Sequence, residues 1–127
     1  MSIYAALTYT DVKAAIQWLG AAFGLEGHAV EEEGVEGDGG QVHHAVLTSG
    51  GEMVLVESER PADLHGSHAG QGWIYMVVQD ADAHYERARA AGAEVLGEPH
   101  GYGAGYRGYG ARDLEGNLWS FGTSRPS

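Results

Sequence analysis

The chain has 127 residues, room for one domain; 43% are apolar, enough for a packed core, and the lack of cysteine excludes disulfides, thiolate nucleophiles and cysteine zinc sites. Seven Lys and Arg against 18 Asp and Glu give a formal net charge of −11, which repels phosphate backbones and argues against nucleic acid while favouring a cationic small molecule. No apolar run reaches the ~20 residues of a bilayer span, and Met1-Ser2-Ile3-Tyr4 has no secretory pattern, so the expectation is a cytoplasmic protein without a membrane partner.

Residues 3 to 9 are rich in apolar, aromatic and β-branched types and read as a strand. Thr10 and Asp11 supply a helix start, and Val12, Ile16, Leu19 and Phe23 form one apolar stripe at helical spacing. Gly24 stands where a left-handed cap ends such a helix. Strands are predicted at about 25–33, 40–48 and 51–58, with an acidic, Gly-rich hairpin loop at 34–40 and a tight turn at Ser49-Gly50-Gly51. Residues 61–71 read as a linker.

The pattern then repeats. Trp73 to Val78 is a strand, Asp80 caps a helix whose buried side is Ala81, Tyr85, Ala88 and Ala91, and Gly92 closes it. Strands follow at about 94–99, 105–112 and 117–123, with Asp113 to Asn117 as a hairpin turn that puts Gly116 at positive φ. Asp11 and Asp80 stand 69 positions apart, as do Tyr4 and Trp73, while Gly51 and Gly116 stand 65 apart. The drift between the two offsets is what one change of loop length produces. The implied architecture is a duplicated βαβββ unit: module one at about 1–60, module two at about 72–127. Neither half buries its sheet alone, so the two associate into one α+β domain.

The run Arg112-Asp113-Leu114-Glu115-Gly116-Asn117-Leu118-Trp119-Ser120-Phe121-Gly122 resembles the closing hairpin of the vicinal-oxygen-chelate superfamily of glyoxalases, dioxygenases and bleomycin-resistance proteins. It is most similar to the PhnB-like, bleomycin-resistance-like branch, with Leu114 where that branch commonly has proline. Tyr9-Thr10-Asp11-Val12 and Gln79-Asp80-Ala81-Asp82-Ala83 extend the resemblance over nearly the whole chain. The implied fold is two βαβββ modules forming a curved mixed sheet around a central groove. The fold alone leaves function open, since it hosts isomerases, dioxygenases and non-catalytic drug binders.

In metal-dependent members, two ligands come from the first strand of each module and two carboxylates from the last. The matching positions here fall on Tyr4, Trp73, Leu55 and Ser120, a poor set for an ion that has to polarise oxygen. Glu57 shares a strand face with Leu55, but one carboxylate does not hold a metal. The resemblance therefore implies no metal, no cofactor and no catalytic residue of the family type.

His43 and His44 are adjacent on a strand and point to opposite faces, so they cannot chelate one ion. His44 is a candidate polar contact or base if its face lines the cavity. His65 and His68 read as solvated loop histidines, and His100 sits at the cavity rim. Tyr4, Trp73 and Tyr75 are placed on groove-lining faces. Tyr102, Tyr106 and Tyr109 alternate with glycines, which suits either stacking on a planar ligand or packing at a dimer seam. Trp18 and Trp119 read as core.

The leading expectation is a metal-free binding protein for an aromatic or cationic, antibiotic-like molecule, contacted by Tyr4, His44, Leu55, Glu57, Trp73, Tyr75, Tyr102, Tyr106, Tyr109 and Ser120. The alternative is a glyoxalase-like metal-dependent lyase or isomerase, or another enzyme of the same superfamily, with Glu57 or His44 as base. By resemblance the chain is expected to form a homodimer.

Overall fold

The computed structural model describes residues 2–29, 44–59, 69–103 and 105–124. The expected loop at 34–40, His43, His65, His68 and most of the 61–71 linker lie outside the described residues. Module one runs β1 (Ala6–Tyr9), α1 (Val12–Phe23), β2 (Glu26–Ala29), β3 (His44–Ser49) and β4 (Glu52–Ser58). Module two runs β5 (Trp73–Val77), α2 (Ala81–Ala90), β6 (Glu94–Val95), β7 (His100–Gly103), β8 (Tyr106–Arg112) and β9 (Leu118–Gly122). Of the strand expected at 94–99 only β6 forms, and β7 is a further strand beyond it. β6 and β7 pair in turn with the same edge of β8, and the interval between them holds Pro99, which has no N–H to give a ladder.

The two modules share one topology. The first sheet is ordered β1-β4-β3-β2 and the second β5-β9-β8-β6, with β7 also on β8. In each, the first and last strands run parallel and the remaining pairs antiparallel. The duplication reaches atomic detail. Asp11 accepts from the Ala14 N–H and Asp80 from the Ala83 N–H, each at 3.0 Å, so both helices open on the same side-chain cap. The β3–β4 hairpin turns on Gly50 and Gly51, at φ 56° and 88°, a pair of left-handed residues that matches the twist of the flanking strands.

Each helix covers one face of its own sheet, and the covered faces share a single core. Leu7, Tyr9, Leu19, Phe23, Leu47 and Val56 from module one join Ala88, Tyr109, Ala111, Trp119 and Phe121 from module two. Phe23, at the end of α1, is the hub: its ring centroid lies 4.8 Å from Phe121 and 5.1 Å from Trp119. Burial of side chains this large contributes roughly 2–3 kcal/mol each. The helices are also tied directly, Trp18 Nε1 donating to the Ala91 carbonyl at 3.0 Å and Arg87 to the Gly20 and Ala21 carbonyls at 2.9 Å.

A buried carboxylate closes the junction between modules. Asp113 accepts from the Tyr9 hydroxyl, from Trp119 Nε1 at 2.9 Å, and from the Glu115 and Asn117 N–H groups at 3.0 Å. Burial, then the Asp113 charge, push the Tyr9 hydroxyl well above its ordinary value, so Tyr9 stays protonated and donates. Two residues further round the turn, Glu115 takes the Thr10 N–H at 2.7 Å, the Thr10 hydroxyl at 3.0 Å and the Asp11 N–H at 3.0 Å. The last hairpin thus grips the start of α1. Among the described residues, no helix is long and apolar enough to cross a membrane.

Candidate functional site

Strand alternation gives each sheet a second face that, among the described residues, neither helix covers. In the first sheet Leu7, Tyr9, Ala45, Leu47, Val54 and Val56 turn into the core. Ala6, Thr8, His44, Val46, Leu55 and Glu57 therefore lie on the bare face. The register sets Thr8, Glu57 and His44 side by side across three strands, and Ala6, Leu55 and Val46 in the next row. Tyr4, two residues before β1, is 55% exposed.

In the second sheet Tyr109, Ala111, Trp119 and Phe121 turn inward, leaving Trp73, Tyr75, Ser120, Gly108, Gly110 and Arg112 on the bare face. Trp73 is 67% exposed, yet its indole is held: Nε1 donates to the Ser120 hydroxyl at 3.1 Å. The Tyr75 hydroxyl donates to the Ser124 carbonyl at 2.6 Å. Tyr106 lies over the paired glycines Gly108 and Gly122, where a Cβ at either position would strike its ring. Partial burial, then a hydrogen bond with Tyr75, raise the Tyr106 hydroxyl above its ordinary value. Gly110, opposite Ser120, is not covered in this way, the nearest atoms to a Cβ there being Leu96 Cδ1 and the Trp119 carbonyl at 3.7 Å.

The expected ligand set therefore divides. Tyr4, His44, Leu55 and Glu57 belong to module one, while Trp73, Tyr75, Tyr106 and Ser120 share the bare face of the second sheet. Tyr109 is a correction. It is 5% exposed and sits beneath α2, its ring stacked on Phe121 at 5.0 Å, because the β8–β9 register sets it opposite an inward residue. Tyr102 lies in β7, and its side chain is outside the described part. Gly110, Leu96 and Arg112 line the same face and were not singled out from sequence. Counting by twos along β8 from Tyr106 was the signal for Gly110 and Arg112.

A half-buried polar group packed against the core was missed by sequence reasoning. His84 on α2 lies between the Tyr109 hydroxyl, 2.6 Å from Nδ1, and the Phe23 carbonyl, 3.1 Å from Nε2. A carbonyl only accepts, so Nε2 carries the proton and Nδ1 accepts from Tyr109. Burial, and the nearby Arg87 charge, hold the His84 imidazole below its ordinary value, while the Phe23 bond opposes them.

Residues 3–121 match the family described as the Glyoxalase/Bleomycin resistance protein/Dioxygenase superfamily. The chain belongs to that superfamily. The solved structure of TioX from Micromonospora sp. ML1 is 30% identical, covers 100% of this chain and 98% of its own, and superposes with a TM-score of 0.75. A superfamily member from Sphaerobacter thermophilus DSM 20745 is similar in fold at 17% identity, with 96% of this chain and 97% of its own covered and a TM-score of 0.70. A glyoxalase-related enzyme from Clostridium phytofermentans is similar in fold at 12% identity, with 96% and 93% covered and a TM-score of 0.71. No curated protein matches the chain.

The superfamily's metal-dependent members set the test for a divalent ion. Leu55 offers no lone pair and the Trp73 indole is a donor only, while the Ser120 hydroxyl already accepts from that indole. Tyr4 is the remaining member, a lone phenol. These residues do not fit a divalent ion, and among the described residues no group of three or more His, Asp or Glu gathers elsewhere.

Proposed function

We propose that the chain is a small-molecule-binding protein of the bleomycin-resistance type, of the PhnB-like branch, that sequesters an aromatic or cationic, antibiotic-like ligand without a metal. The observation that carries this reading is Trp73, a large exposed indole held in one orientation where metal-dependent relatives place a ligand. Tyr75 and Tyr106 on the same face, Tyr4 on the first module and the net charge of −11 support an aromatic or cationic guest. A cation over such a ring gains about 0.5–2 kcal/mol per good contact. The bare face of each sheet is one wall, and a second copy of the chain supplies the facing wall, so the binding unit is a homodimer.

Calorimetric titration with planar aromatic and cationic glycopeptide antibiotics tests the reading. Saturable heat with one of these classes is expected, and sedimentation at the same concentration reads a dimer. No saturable heat with any of them overturns it.

One observation favours a second reading, an enzyme of the same superfamily. His44 and Glu57 are direct cross-strand neighbours on the bare face, beside the Thr8 hydroxyl, which is a base-and-orienter arrangement. Stoichiometric metal that survives dialysis, or turnover lost in Glu57→Gln, decides for it.

A further inference from the structure

The chain has three tryptophans, and all three indole N–H groups are bonded: Trp18 to the Ala91 carbonyl, Trp119 to Asp113 and Trp73 to Ser120. The first two lie in or against the core, where an unpaired N–H is costly. Trp73 is different. At 67% exposure its N–H has water available, so satisfying the donor does not require Ser120. What the bond does is fix the ring. Trp73 is paired with Leu118 and Ser120 is paired with Tyr75, so the indole leans two pairs along the ladder, to the next pair on its own face. On the far side of Ser120, Gly110 adds no side chain, so among the described residues the row beside the held ring is low, with Leu96 Cδ1 at its edge, 3.7 Å from where a Gly110 Cβ would stand.

We infer that Ser120 is a positioning residue, which presets the Trp73 indole as a stacking platform for a planar aromatic ring seated on the Ser120–Gly110 row. The inference rests on the binding reading and narrows it, because it makes planarity, ahead of charge, the property selected by this wall. Holding the indole before the ligand arrives removes the ordering cost of a large side chain from the binding step. Ser120 is suited to this role because its hydroxyl supplies an acceptor on a short side chain.

The experiment uses isotope-labelled full-length protein and follows the three indole N–H resonances, that of Trp73 being assigned by its loss in Trp73→Phe. Three probes are titrated: 9-aminoacridine, a planar cation; 2-naphthoate, a planar anion; and cyclohexylamine, a cation without a flat ring. Both planar probes are expected to shift the Trp73 resonance, and cyclohexylamine is not. Ser120→Ala is expected to move that resonance and speed its solvent exchange without ligand, and to weaken both planar probes about threefold to tenfold, the net worth of one neutral hydrogen bond. Ser120→Thr, which keeps the hydroxyl, restores affinity, and thermal midpoints for the set stay together.

If Ser120→Ala binds the planar probes as the wild type does while Trp73→Phe does not, the positioning role is overturned and the binding reading stands. If cyclohexylamine binds as well as 9-aminoacridine, charge is what the wall selects and the inference falls. If no probe binds the wild type, the platform falls together with the binding reading, whereas an unmoved Trp73 resonance in Ser120→Ala removes the hydrogen bond and with it the positioning role, leaving the binding reading in place.

Discussion

His84 and Tyr109 meet at 2.6 Å at the edge of the shared core, with the tyrosine hydroxyl donating to an imidazole whose value burial lowers. Protonating Nδ1 breaks that bond and puts a charge beside Phe23 and Phe121, whose rings lie 6.0 and 4.3 Å away. Because burial lowers the His84 value, the unfolded chain takes up this proton first as pH falls. The stability due to neutral His84 is complete above the unfolded value of about 6.5 and is lost as pH drops from there through the folded value. Urea unfolding at pH 7.5 and pH 5 is expected to show a fall that is shallower in His84→Phe.

Asp113 gives a larger effect at constant pH. Four donors converge on one buried carboxylate, so Asp113→Asn turns an amide N–H toward some of them and removes the charge from the rest. The expected cost is about 2–4 kcal/mol in urea unfolding. Tyr9→Phe removes one donor and costs about 1–3 kcal/mol, and the double variant falls short of the sum by at least ~1 kcal/mol, since the two side chains share one bond.

Trp73 and Tyr109 separate binding from folding. Trp73→Ala, on the bare face, is expected to change stability by less than about 0.5 kcal/mol while weakening planar ligands tenfold or more, roughly the worth of one aromatic contact. Tyr109→Phe, in the core, is expected to cost about 1 kcal/mol by stranding His84 Nδ1 and to leave ligand affinity alone. Paired calorimetry and unfolding on both variants check the contrast.

The glycines of β8 are expected to split likewise. A Cβ at Gly108 lies 2.6 Å from the Phe121 carbonyl and from the Tyr106 hydroxyl, so Gly108→Ala forces backbone apart and costs about 2 kcal/mol. A Cβ at Gly110 meets nothing nearer than 3.7 Å, and Gly110→Ala is expected to be neutral or to gain up to about 1 kcal/mol. Thermal unfolding of the pair reads the difference.

Local chemistry was what the sequence made legible. Asp11 and Asp80 cap helices through bonds spanning three residues, and Gly50-Gly51 makes a turn between adjacent strands, so each shows in a short window. The bare face of β4 was equally readable, because Leu55 and Glu57 alternate with Val54 and Val56. Tyr109 was misplaced by weighing the Gly-Tyr repeat as composition. Counting pairs back from the Asp113–Asn117 turn sets Tyr109 against Phe121, and sidedness follows from that register. His84 and Glu115 gave no such signal: their partners lie 61 and 105 residues away for Phe23 and Thr10, and no local pattern encodes that approach.

The grip of Glu115 on Thr10 and Asp11 also bears on the order of events during synthesis. Thr10 and Asp11, at the start of the first helix, leave the ribosome 105 and 104 residues ahead of the carboxylate that clasps them, and Asp113, which anchors Tyr9, arrives equally late. Module one consequently waits in a loosened form until the final hairpin emerges, and a nascent chain stalled before residue 113 exposes the edge of β1 and the underside of α1 to chaperones or to a neighbouring chain.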